Sequence, residues 1–157
     1  MLEVYLTENK DVYTKIKQYL LRFLRSPFKI LRTENGKPYI EGNPLFFSLS
    51  HSANWAVIAI CDKPVGVDFE VFNGKVHPAV CSRFSQREQE EINCEKDFLL
   101  HWTAREAFIK MKGATLSEYF KKLEFYGGEI YFDGERQNLK IDLNEYPFGV
   151  CAVCCDN

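Results

Sequence analysis

The chain has 157 residues, 46% of them hydrophobic, and its 20 Lys and Arg nearly balance 22 Asp and Glu for a net charge of −2. That length and apolar content suffice for one compact core, or for two small lobes sharing one. The near-neutral balance gives no basic field for nucleic acid, and no apolar run approaches the length that crosses a bilayer, so neither a nucleic-acid nor a membrane partner is expected.

Residues 1–6 read as a strand without the charged start or cleavage site of a secretory leader, which makes the cytoplasm the expected compartment. Residues 11–25 read as a helix with Ile16, Leu20, Phe23 and Leu24 apolar. Strands are expected near 28–33, 38–41, 45–49, 55–61 and 65–71, with Asn35-Gly36 a hairpin signal between the first two. Asn73-Gly74 marks a break that divides the chain into lobes 1–72 and 73–157. Ser85 with Glu88 three residues on is a capping-box pattern, and 96–112, free of Gly and Pro, reads as a long helix. Strands near 119–126, 129–132, 139–143 and 149–155 close the chain. Many strands without a regular strand–helix alternation predict an α+β fold with antiparallel sheets.

Six cysteines stand at 61, 81, 94, 151, 154 and 155. Cys151-x-x-Cys154-Cys155 lacks the second Cys pair or His pair of a structural zinc site. It reads as a buried strand in which thiols act as small hydrophobes.

Two stretches carry chemistry. In Gly66-Val67-Asp68-Phe69-Glu70 the carboxylates are at i and i+2, so on a strand they share one face, while Val67, Phe69 and Val71 face a core. In 102–110, Trp102, Glu106 and Lys110 recur at i, i+4 and line one face of a helix. Paired carboxylates repel unless a cation lies between them. Mg²⁺ suits such a pair, with Glu106 as a third acid and Lys110 as a phosphate-holding charge. Taken alone, each motif also fits a solvated sheet face or a surface helix pair. Ser50-His51-Ser52 fits a turn whose side chains bond the backbone.

Together these residues resemble the 4′-phosphopantetheinyl transferase superfamily. The strand motif matches Gly-(Val/Ile)-Asp-x-Glu in full, and Trp102-x-x-Arg105-Glu106-Ala107-x-x-Lys110 matches Trp-x-x-Lys-Glu-(Ala/Ser)-x-x-Lys with Arg105 in place of the first Lys. Asn35-Gly36-Lys37-Pro38 and Phe46-Phe47-Ser48-Leu49-Ser50-His51-Ser52 resemble further elements of the surfactin-synthetase-activating type, with Ser48 where Asn is usual.

The resemblance implies two similar lobes, each an antiparallel sheet on a long helix, related by a pseudo-twofold with the site between them. It implies a monomer that moves 4′-phosphopantetheine from coenzyme A to a serine of an acyl or peptidyl carrier protein, with Mg²⁺. Asp68, Glu70 and Glu106 would bind the metal. Glu106 would also serve or position the base. Lys110 would contact the pyrophosphate, and Lys37, Ser50 and His51 would line the coenzyme A site. The N-terminal region is shorter than in two-lobed members, so Lys15, Lys17, Arg22 and Arg25 are the available grips for the adenosine end. Lys110, Lys112, Lys121, Lys122, Arg83 and Arg87 are candidates for a face toward an acidic carrier. A non-catalytic relative that binds carrier or coenzyme A, and a different Mg²⁺-dependent phosphoryl enzyme, remain the alternatives.

Overall fold

Runs of β-branched and apolar residues build two main three-stranded antiparallel sheets, each covered by one helix, beside two smaller sheets, in a computed structural model that describes residues 1–24, 26–42 and 45–157. The elements in chain order are β1 (Leu2–Glu8), α1 (Val12–Leu20), β2 (Ile30–Arg32), β3 (Pro38–Ile40), β4 (Phe46–Ser52), β5 (Trp55–Cys61) and β6 (Val65–Val71). Then follow α2 (Pro78–Cys81), α3 (Gln86–Glu91), α4 (Glu95–Lys112), α5 (Leu116–Tyr119), β7 (Leu123–Tyr126), β8 (Glu129–Phe132), β9 (Glu135–Arg136), β10 (Leu139–Tyr146) and β11 (Gly149–Asp156).

One sheet runs β1-β5-β4 and the other β10-β11-β6, with β2-β3 and β7-β8-β9 as smaller sheets. The layers are helix, sheet, sheet, helix. Val12, Ile16 and Leu20 of α1 pack on Ala56, Ile58 and Ile60 of β5. The other face of β5 (Val57, Ala59, Cys61) meets Val65, Val67 and Phe69 of β6 and Cys151, Val153 and Cys155 of β11. The far face of β11 (Ala152, Cys154) packs on Ala104, Ala107 and Phe108 of α4. Strands β5 and β11 are thus buried on both faces, which is why they read as unbroken apolar runs rather than as alternating ones. The six cysteines are free, with Cys151, Cys154 and Cys155 buried along β11 as small hydrophobes.

Several boundaries differ from the sequence expectation. Helix α1 ends at Leu20, where expectation ran to 25; Arg25 lies outside the described residues. It is half the length of α4, at 9 against 18 residues. The strand expected from 119 opens only at Leu123, because residues 116–119 form a helical turn in which Glu118 accepts from the Thr115 N–H and hydroxyl at 2.9 and 2.7 Å. Strand β4 continues through Ser52 rather than stopping at 49. Strand β6 pairs antiparallel with β11, so its ladder lies in the C-terminal sheet although it precedes the expected break at Asn73-Gly74. The capping box at Ser85 and Glu88 forms as expected.

Two glycines fix how α4 sits. Gly113 ends it at φ 67, the left-handed conformation that glycine adopts without strain. Gly66 lies directly under it: a Cβ there would stand 1.9 Å from Ala107 O and 2.4 Å from Met111 N. Both are backbone atoms of the helix, so they cannot rotate away. Gly66→Ala is expected to cost about 3 kcal/mol, the upper end of overpacking penalties. It should also lift α4 from β6. Urea melts check the first effect, and hydrogen exchange of the α4 amides checks the second.

Candidate active site

The close seating of α4 on Gly66 brings the two predicted motifs together. Asp68 and Glu70 follow Gly66 on the same face of β6, and Glu106 and Lys110 descend from α4 toward them. Lys110 Nζ donates to Asp68 Oδ1 at 2.6 Å. Ser50 Oγ of β4 donates to the same oxygen at 2.8 Å, and Ser52 Oγ donates to Glu70 Oε2 at 2.7 Å. Asp68 is 4% exposed, and its second oxygen, Oδ2, is buried without a hydrogen-bond partner.

Negative charge is under-compensated here. Burial foremost, then the Asp68 charge, pushes the Glu106 carboxyl up to about 7, with Lys110 opposing. Burial also raises Glu70, helped by Asp68 and opposed by the Ser52 hydrogen bond. Hard oxygen donors, an orphaned buried carboxylate oxygen and mutual repulsion fit a divalent cation such as Mg²⁺. That ion is often held by one or two carboxylates and keeps its waters. Among the described residues no group of three or more His, Cys, Asp or Glu is drawn close enough to hold a metal together.

Two clefts flank the acids. One, of about 210 Å³, is lined by Asn35, Lys37, Leu49, Lys110 and Gly113. The other, of about 200 Å³, is lined by Glu70, His77, Val80, Phe98 and Trp102. A larger open hollow, by Glu8, Lys10, Asn54 and Trp55 at the β4–β5 turn, holds neither motif.

Lys37 reaches the first cleft but is tethered. Its Nζ donates to Met111 O at 2.9 Å, bonding a carbonyl of the last turn of α4, and burial lowers it to about 8. His51 is exposed, on the opposite face of β4 from the buried Ser50. Of the basic residues considered for adenosine, Lys15 bonds Thr7 and Glu8, and Arg22 lies over the Tyr5 and Tyr19 rings. Most of the basic carrier-face candidates face local partners: Arg87 pairs with Glu124, Lys112 with Asp156 and Lys122 with Asp133, while Arg83 covers the Phe120 ring.

Arg105 turns away from the site. It is 1% exposed, its Nη1 donates to both oxygens of Glu88 at 2.7 and 2.9 Å, and its Nη2 donates to Phe120 O. The guanidinium lies between the Phe84 and Phe120 rings, 4.7 and 4.4 Å from their centroids. The departure from Lys at this position therefore touches neither phosphate nor solvent. It anchors α4 to α3 and β7, since Glu88 also accepts the Phe125 N–H at 2.9 Å. Sequence reading did not find this pair, because an Arg and a Glu 17 residues apart share no helical or strand spacing.

A family model described as the 4′-phosphopantetheinyl transferase superfamily matches residues 64–151, the span that holds β6, α4 and β11. The chain is similar to a 4′-phosphopantetheinyl transferase of Bacillus subtilis, with 35% identity over 76% of this chain and 61% of the relative. It is also similar to the 4′-phosphopantetheinyl transferase psf-1 of Bacillus pumilus, with 36% identity over 79% and 54%. The 4′-phosphopantetheinyl transferase gsp of Aneurinibacillus migulanus is 28% identical over 93% and 69%. The chain thus spans 61% and 54% of the length of the first two relatives.

Proposed function

The chain belongs to the 4′-phosphopantetheinyl transferase superfamily, and on that premise we propose that it transfers 4′-phosphopantetheine from coenzyme A to a serine of an apo acyl or peptidyl carrier protein. The observation that carries this reading is the meeting of Asp68, Glu70, Glu106 and Lys110 across β6 and α4, with Asp68 Oδ2 buried and unpartnered.

Asp68 and Glu70, with Glu106 beside them, would hold Mg²⁺. The bound ion would neutralise the pyrophosphate oxygens and lower the barrier to their displacement. Glu106 stands beside the acids that would hold the ion, and its carboxylate is the group placed to take a proton. It takes the proton of the carrier serine as the serine oxygen bonds to the β-phosphorus of coenzyme A. The bond from that phosphorus to the bridging oxygen breaks, and adenosine 3′,5′-bisphosphate leaves with the electron pair. Lys110 stabilises the charge that grows on the leaving phosphate. Lys37, which lines the first cleft, and His51, exposed on β4, would receive the phosphates of coenzyme A.

We further place the two halves as pseudo-twofold lobes of a monomer, each a helix on a three-stranded sheet, acting in the cytoplasm, where the free thiols of β11 stay reduced. The proposed reaction is tested by chromatography of the nucleotide product. Adenosine 3′,5′-bisphosphate should accumulate only when coenzyme A, Mg²⁺ and an apo carrier are all present. Release that ignores the carrier would point instead to a phosphohydrolase.

A further inference from the structure

The two sheets meet through side chains rather than through a backbone ladder. Ser48, Ser50 and Ser52 of β4 accept the backbone N–H groups of Val67, Phe69 and Val71 of β6 at 3.1, 3.2 and 3.2 Å. Both series climb by two, so β4 and β6 run parallel. A hydroxyl interposed between them keeps the strands from closing into one sheet.

A serine hydroxyl has one proton and two acceptor lone pairs. With a strand N–H on a lone pair, the proton is free to be given elsewhere. Ser50 gives it to Asp68 and Ser52 gives it to Glu70, in each case the residue just before the N–H that it accepts. At the equivalent place before Val67 stands Gly66, which has no side chain to receive anything.

Resting on the reading of Asp68 and Glu70 as metal-binding carboxylates, we infer that the serine ladder of β4 positions them: Ser50 and Ser52 fix the rotation of the two carboxylates from the opposite sheet, so that each keeps an oxygen turned toward the cation. Ser50 and Lys110 both take Asp68 Oδ1, and this leaves Oδ2 bare. Ser50 acts here as a positioning residue, through Asp68. Groups that hold a ligating carboxylate in place typically change metal affinity by about 10–100-fold when removed.

The test is a Mn²⁺ titration of the intact chain, followed by the electron paramagnetic resonance signal of free Mn²⁺, with thermal melts of the same samples. Ser50→Ala and Ser52→Ala should each raise the Kd by about tenfold or more. Ser48→Ala, which removes the same kind of sheet-to-sheet bond without touching a carboxylate, should lower the melting temperature and leave the Kd within about twofold. If all three lower the melting temperature and none moves the Kd, the ladder is only a seam between sheets and the inference is overturned. If Ser50→Ala does not fold, Ser52→Ala decides, because Ser52 is only part-buried. A wild-type chain that binds no Mn²⁺ overturns both this inference and the metal-site reading. A wild-type chain that binds with Ser52→Ala unchanged overturns this inference alone.

Discussion

Arg105→Ala is expected to destabilise the fold by about 3–5 kcal/mol, the cost of leaving a buried charge unpaired. Glu88 is fully buried and depends on Arg105 for two hydrogen bonds and for a permanent counter-charge, with the His101 ring 3.8 Å away. Removing the guanidinium also empties the slot between Phe84 and Phe120 and frees Phe120 O. Arg105→Lys keeps the charge but loses the planar fork, so it should cost less, about 1–3 kcal/mol. Arg105→Ala combined with Glu88→Gln should recover part of the loss, since no bare charge remains.

The pair also sets an acid limit. Burial alone would raise Glu88, but the His101 ring, the Arg105 charge and the Phe125 N–H outweigh it and hold the carboxyl at about 2, below its ordinary 4.5. Burial pulls Arg105 down, yet a guanidinium stays charged at any working pH, so the pair titrates through Glu88. A depressed carboxyl stabilises the fold fully above about 4.5 and loses that contribution as pH falls toward about 2. The amount is about 3 kcal/mol. Urea melts at stepped pH should show wild type and Arg105→Ala converging below pH 4.5.

Glu106→Gln is expected to remove transfer by about 10²–10⁴-fold, the usual yield of a positioned proton acceptor, without weakening the fold. Glutamine keeps the size of the side chain and cannot accept the serine proton as a carboxylate does. In the wild type the Glu106 carboxyl is raised to about 7 from 4.5. A raised carboxyl binds its proton more tightly folded than unfolded. Its favourable contribution is therefore present below about 4.5 and fades as pH rises to about 7. Glutamine removes that fading, so at pH 8 the variant should melt no lower than wild type, and higher if the strain is fully relieved. Activity lost with stability kept or gained is the expected signature of a group held for chemistry rather than packing. A variant that keeps wild-type transfer would remove Glu106 from the proton path.

Much of this site was legible because its residues obey the periods of their elements. Asp68 and Glu70 share a strand face by alternation, and Glu106 and Lys110 share a helix face by the four-residue step. Both elements were bounded nearly to the residue. What brought the two together was not legible as a distance. It depends on Gly66, whose missing Cβ lets the α4 backbone touch β6. The serines of β4 carried a signal that went unread: Ser48, Ser50 and Ser52 alternate in step with Gly66, Asp68 and Glu70. Two polar alternations of the same period mark facing strands, but only once the strands are known to be neighbours. Lys37 was found by motif, yet its bond to the end of α4 is a tertiary fact with no local pattern. The Glu88–Arg105 pair escaped because Arg105 stands within the helix motif and its partner lies outside it, whereas burial joins the two. The short turn at 116–119 escaped because the apolar run after it favoured a strand and the Thr115–Glu118 cap was overlooked.

The central claim is that Asp68, Glu70, Glu106 and Lys110 form a working transfer site, and intact-mass measurement of the acceptor tests it most directly. Apo acyl, peptidyl and amino-acid-biosynthetic carrier proteins would each be incubated with the chain, coenzyme A and Mg²⁺. The predicted result is one added phosphopantetheine on at least one carrier, lost with EDTA and with Glu106→Gln. A well-folded wild-type chain that adds no such mass to any carrier, or a Glu106→Gln variant that adds it at the wild-type rate, would contradict the claim.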